Sequence, residues 1–192
     1  FSAVRSLRQS DLKSATIPIH FDAAQGAAGL RPAVKRICEQ AIQAVDAGAT
    51  ILILSDRGVE ATKAPIPVLL ATAAVHHHLI RAGRRMRTSL VVETGAAHEV
   101  HHFACLLGYG ASAVYPYVAY HTIKALERSG RLGEVTYDQA LEHFRKAIDQ
   151  GVLKIMSKMG ISTVGSYRGA QIFEALGLSN ELVDECFPGT PS

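Results

Sequence analysis

The run His98-Glu99-Val100-His101-His102 is the clearest invitation to chemistry in this sequence. It matches HExxH, in which two imidazoles one helical turn apart bind zinc and the glutamate activates a water. Such a site needs a third ligand. The extended pattern would require glycine at Cys105 and histidine at Gly108, and Glu127, at a spacing some zinc peptidases use, falls on another helix beyond a strand. A zinc hydrolase built on His98, Glu99 and His102 is therefore the weakest chemical reading, and no metal ligand is assigned. His76, His77 and His78 are consecutive, so on a helix their side chains diverge by about 100° and cannot meet on one ion.

A second candidate is GISTVGSYRG at 160–169, where glycines near a helix start, with Ser166 and Arg168, could hold an anion. Its spacing matches neither the P-loop nor the dinucleotide fingerprint. Lys154 and Lys158 lie one turn apart and read as a solvated face. Cys38, Cys105 and Cys186 are odd in number and far apart, so they fit neither a disulfide framework nor a CxxC site. A reducing, cytoplasmic setting is expected.

These residues need elements to position them. Strands are predicted for IPIHF at 17–21, TILILS at 50–55, TSLVVET at 88–94, ASAVYP at 111–116 and, most weakly, ISTV at 161–164. Between them, Val34, Ile37, Cys38, Ala41 and Val45 recur at helical steps after Pro32 and stop at Gly48. Pro67 opens a helix carrying Leu70, Ala74 and Ile80, and 99–107 forms another before Gly108. Thr136 with Gln139 makes a capping box for a helix that presents Tyr137, Leu141, Phe144 and Ile148 and is expected to end at Gly151, with a second helical stretch at 152–159.

Alternating strands and helices imply an α/β fold with a parallel sheet, and ILIL and LVV are apolar on both faces, as a covered strand requires. Four or five βα units in 192 residues fall short of the ~250 of a closed eight-stranded barrel. An incomplete TIM-barrel-like sheet, or an open one, in a single domain 1–192 is expected. Loops after the strands gather at one end of such sheets, which selects Asp56, Arg57, Glu93 and Arg168 as a polar cluster able to position an anion or another domain. The plainer alternative is that the acids cap helices and pair with the arginines. The basic run RAGRRMR at 81–87 lies at the opposite end and reads as a solvated helix terminus.

A net charge of +3 is too small and too dispersed to make nucleic acid the default partner. No apolar stretch reaches the ~18 residues of a membrane span, so no membrane partner is expected. The start at Phe1 and the turn-rich end Pro-Gly-Thr-Pro-Ser suggest a segment of a longer chain.

Three long stretches carry a resemblance: ILILSDRG at 51–58, IPVLLATAAVHHHLIRAGRRMRTSLVVETGAAHEVHHFACLLGYGASAVYPYVA at 66–119, and LKIMSKMGISTVGSYRGAQIFEALG at 153–177. Together they resemble the central domain of the glutamate synthase large chain, in its C-terminal part. Such enzymes convert glutamine, 2-oxoglutarate and reductant into two glutamates. The resemblance implies a scaffold linking a glutaminase domain to a barrel that holds FMN and a 3Fe-4S cluster. It implies no catalytic residue and no cofactor within this segment. Its expected partners are those two domains, or a second copy of itself. The alternative function is a stand-alone flavin- or phosphate-binding half barrel.

Overall fold

The two most apolar runs become neighbouring strands at the centre of the sheet. In the computed structural model, which describes residues 1–8 and 11–192, β1 (Ser14–Pro18), β3 (Ile51–Ser55), β5 (Ser89–Glu93) and β6 (Ala113–Tyr115) lie side by side in that order, all parallel. Consecutive strands are spatial neighbours, so each crossover advances the chain by one position in one direction, as around a barrel. Four strands do not close, and the sheet is open. A separate antiparallel ribbon pairs β2 (His20–Asp22) with β4 (Lys63–Pro65).

Strand alternation sorts the side chains. Leu52, Leu54 and Leu90 point to the helix layer and are fully buried there against α2 (Leu30–Asp46) and α3 (Val68–Arg81). The buried stripe of α2 is Val34, Ile37, Cys38, Ala41 and Val45, as its spacing demands. Leu70 and Ala74 of α3 are buried, whereas Ile80 turns outward and is 50% exposed. A second cluster forms where Phe103 and Leu106 of α4 (Val100–Gly108) meet Ile148, Val152 and Met156 of α6 (Tyr137–Lys158) over Val92. Among the described residues, no helix is long and apolar enough to cross a membrane.

Three expectations are corrected. The run 17–21 is not one strand: β1 ends at Pro18, Ile19 N–H donates to Ser55 O at 2.9 Å while its carbonyl accepts from Ile66 N–H at 2.8 Å, and the chain passes into β2, which pairs with β4 instead. The run 161–164 is not a strand: Thr163 instead caps the short α7 (Val164–Tyr167), its Oγ1 accepting from Ser166 N at 3.2 Å. The helix expected to carry Glu127 is α5 (Tyr117–Arg128), which follows β6. Gly151 does not end its helix, since α6 runs through it.

Gly151 serves packing instead. A Cβ there would lie 2.5 Å from Val100 Cγ2, so only glycine lets α6 cross the start of α4 this closely. Two further helices complete the chain, α1 (Ser2–Arg5) at one end and α8 (Asn180–Cys186) at the other, with α8 adding Val183 and Cys186 to the first cluster.

An exposed helical glycine gains about 1 kcal/mol on replacement by alanine. Gly151→Ala is expected to do the reverse, lowering stability by about 1–3 kcal/mol through overpacking. Adding Val100→Ala, which removes the obstructing methyls, should make the alanine at 151 nearly neutral relative to Val100→Ala alone. Urea unfolding of the four chains measures this, and equal costs in both backgrounds would refute the packing role.

Candidate functional site

The register brings Ser55 beside Glu93 at the carboxyl ends of β3 and β5. Glu93 is 1% exposed, and such a carboxylate is tolerable only if its oxygens are met by donors. Ser55 Oγ donates to Oε2 at 2.5 Å, the Arg5 guanidinium donates to the same oxygen, and Arg57 Nε donates to Oε1 at 2.6 Å. The Arg57 guanidinium also lies 4.0 Å from the centroid of the Tyr117 ring. Next to it Asp56, 7% exposed, accepts from Thr94 Oγ1 at 2.6 Å and from the Gly95 N–H at 3.0 Å. Burial, and then the Asp56 carboxylate beside it, push the Tyr117 phenol up to about 12.

Segment 1–7 starts at this rim and runs obliquely to the amino end of β1. Phe1 stacks on Tyr115 of the β6 edge, ring centroids 4.2 Å apart, and Arg5 reaches Glu93 in the middle. Ser14 on the β1 edge donates through Oγ to Arg5 O at 2.9 Å and through its N–H to Leu7 O at 3.2 Å. The strap therefore crosses from one edge of the sheet to the other. Chemically, the rim is a self-saturated network. Both carboxylates are committed as acceptors, which suits holding backbone and strap in place rather than taking a proton from a substrate.

The expected grouping of Glu93 with Arg168 does not occur. Because 161–164 forms no strand, the loop after it does not join the rim, and Gly169 N–H instead donates to Gly108 O at 2.9 Å, near the amino ends of β5 and β6. Ser166 is exposed on α7. At that opposite end Arg85 is half-buried, not solvated: Nε donates to His76 Nδ1 and the terminal nitrogens to Thr88 O and Gly110 O, each at 2.8 Å. Arg84 and Arg87 share Asp46. Burial first, and then the charge of Arg85, hold His76 down at about 3.

The HExxH residues are not disposed as a helical pair. His98 and Glu99 precede the helix, whose first residue is Val100, and Glu99 is the N-cap. His102 Nδ1 accepts the backbone N–H groups of His98 and Glu99, each at 3.4 Å. Burial raises the thiols of Cys38 to about 12 and of Cys105 and Cys186 to about 11, so none is an activated nucleophile at neutral pH. Cys38 and Cys186 line one cavity while Cys105 lies on α4 beside His101, so the three thiols do not converge as an iron-sulfur cluster requires. Arg5 and Tyr117 are the site residues that sequence reasoning missed. Arg5 stands 88 positions from the acid it pairs with, and no local pattern marks such a partner.

The family model described as the glutamate synthase central domain matches residues 1–179. The chain is 49% identical over 185 residues to glutamate synthase [NADH] of Saccharomyces cerevisiae, covering 93% of this chain and 9% of that protein. It is 48% identical over 192 residues to the glutamate synthase [NADPH] large chain of Bacillus subtilis, covering 100% and 12%. Ferredoxin-dependent chloroplastic glutamate synthase of Spinacia oleracea is 48% identical over 193 residues, covering 94% and 12%. The chain thus spans roughly a tenth of these relatives' length. Among solved structures, a doubly substituted flavocytochrome b2 with pyruvate bound superposes with a TM-score of 0.53 at 13% identity, over 88% of this chain and 55% of that one. A likeness at that identity concerns the fold alone, here a barrel-type arrangement of βα units.

Two outcomes are expected from the charges at the two ends. Glu93→Gln sets an amide N–H₂ against one or two of the three donors and removes the charge that both arginines meet, and should lower stability by about 2–4 kcal/mol in urea unfolding at neutral pH, whereas Asp46→Asn at an exposed pair should change it far less. His76 is neutral in the folded state, while the unfolded chain takes up its proton near the ordinary value of 6.5. Its contribution is therefore present above that value and is lost as pH falls from about 6.5 toward about 3. His76→Asn, which keeps an acceptor for Arg85 but does not titrate, should flatten this fall; an unchanged pH profile of the melting temperature would exclude His76 as its source.

Proposed function

Since this chain belongs to the glutamate synthase central-domain family, we propose that it is the connecting scaffold of a glutamate synthase large chain. In that reading, the parent makes two glutamates from glutamine, 2-oxoglutarate and reductant. This segment holds the glutaminase domain and the FMN and 3Fe-4S barrel in register, and the cofactors reside in that barrel. The observation that carries the reading is the closed polar network of the rim. Every oxygen of Glu93 and Asp56 is occupied by a donor of the same chain, so the place where a parallel α/β fold usually does chemistry is built here as a joint.

Asp56, Arg57 and Glu93 are our candidates for fixing the rim against a neighbouring domain, and Ser166 and Arg168 for a contact at the other end. One domain, 1–192, carries both. Three thiols held protonated by burial support a reducing compartment such as the cytosol. Met86, Leu153 and Leu176 are 97%, 61% and 87% exposed, which supports either cover by other domains or self-association of the isolated segment.

The isolated 192-residue chain is expected neither to hydrolyse glutamine nor to form glutamate, and to sediment as more than a monomer. In the full-length enzyme, Arg57→Lys, which keeps the charge but loses the planar fork, should raise the ammonia released per glutamine hydrolysed while leaving the flavin content unchanged. Glutamate formation by the isolated chain would overturn the scaffold reading. Unchanged coupling in the variant would remove Arg57 from the interdomain contacts.

A further inference from the structure

The sheet ends at β6, and against that last strand α4, α5 and α6 border a groove of about 550 Å³. Its base is apolar: Phe103 of α4 and Ile148 of α6 are 7% and 9% exposed. Tyr120 and Phe144 also line it, their rings edge to face with centroids 6.1 Å apart. Leu153 and Val164 stand at the lip, 61% and 40% exposed. The two charged residues that line the groove, Arg145 and Asp149, are exposed and lie one turn apart on the same face of α6.

A ligand pocket of this size gathers a few polar groups toward its interior. Here the interior is apolar and the charge lies at the lip, which is the order of a protein interface, an apolar centre inside a polar rim. Both charges are left for a partner. On the same helix Lys146 meets Glu142 at 2.8 Å, whereas among the described residues neither Arg145 nor Asp149 forms an ion pair, and Arg145 leans toward Tyr120, its guanidinium carbon 5.7 Å from the ring centroid. A helix face that carries one charge of each sign is complementary to itself. When two such helices lie antiparallel across a twofold axis level with the midpoint of 145 and 149, each Arg145 stands opposite Asp149 of the other copy. The same half-turn brings each Leu153 level with Leu141 of the other copy, since both lie six residues from that midpoint, and within a turn of Phe144 in the groove.

We propose that this groove is the interface between two copies of the chain, paired antiparallel through α6 about a twofold axis. Arg145 and Asp149 form two reciprocal ion pairs across it, and Leu153 of each copy leaves water against the groove of the other. The inference rests on the scaffold reading for the self-association of the segment, and adds to it the face, the partner and the pairing.

Sedimentation equilibrium of the 192-residue chain and its variants tests this. The chain should form a dimer. Arg145→Asp or Asp149→Arg alone sets like charges opposite one another twice per dimer and should weaken it about a hundredfold, while the two changes together exchange the charges and should restore the dissociation constant to within about threefold. Leu153→Glu should weaken the dimer by about a hundredfold as well. Leu176→Glu, at a side chain 87% exposed outside the groove, should leave it unchanged, which separates this face from general stickiness. All of these positions are exposed, and far-UV circular dichroism checks that each variant is folded; if a single charge variant is not, Leu153→Glu and the double exchange decide. A chain that stays monomeric, or assembles beyond a dimer, overturns the proposal; a monomer leaves the groove to another domain of the parent, and the scaffold reading then still stands or falls on glutamate formation. A dimer indifferent to the folded single variants in the groove, or one that the exchange does not restore, overturns the proposal too.

Discussion

Glu93 is the constraint around which this molecule is arranged. A carboxylate at 1% exposure on a central strand must be surrounded by donors or the sheet cannot form around it. Its three donors come from three places: Ser55 on the neighbouring strand, Arg57 on the loop that follows, and Arg5 near the beginning of the chain. Satisfying one buried charge thereby fixes the register of β3 against β5 and the path of the loop at 56–58. It also pins the strap at residues 1–7 to the rim. Asp56 repeats the device one residue later, tying the β3 loop to Thr94 and Gly95 after β5.

The consequence for the fold is an open sheet with a closed rim. A full barrel would bring strands from the other side to cover the inward faces of Ile53 and Val91, which are buried here without a fifth strand among the described residues. The strap from Phe1 to Leu7 runs obliquely from the carboxyl end of β6, past Glu93, to the amino end of β1. A rim built this way trades ligand access for rigidity. The relatives this chain matches are about ten times its length.

The two ends of the sheet follow opposite electrostatic rules. At the carboxyl end, buried acids and arginines neutralise one another. At the amino end, Arg85 is buried against neutral acceptors, His76 is kept uncharged, and Arg168 adds a second positive charge. Both ends are ordered by hydrogen bonds of similar length, so order alone does not separate them. The partners do: carboxylates meet the arginines at Glu93, whereas a neutral imidazole and two backbone carbonyls meet Arg85.

The sequence by itself determined the class of fold, because period and composition are local. The apolar runs at 51–54 and 89–92 can be stable only as strands covered on both sides, and the stripe from Val34 to Val45 only as a helix face. Thr136 with Gln139 marked a helix start for the same reason, since a capping box acts within one turn. It also pointed to Asp56, Arg57 and Glu93, which sit where strand ends must gather. Only the tertiary structure decided what those residues touch. Arg5 finds Glu93 across 88 positions, and Arg168 goes to the other end because the β-branched run at 161–164 finds no strand to pair with and caps a short helix instead. Gly151 looked like a stop and proved to be a point of closest approach between two helices. A glycine's local preference and its value as empty space are the same in sequence, and only the neighbour that fills the space distinguishes them.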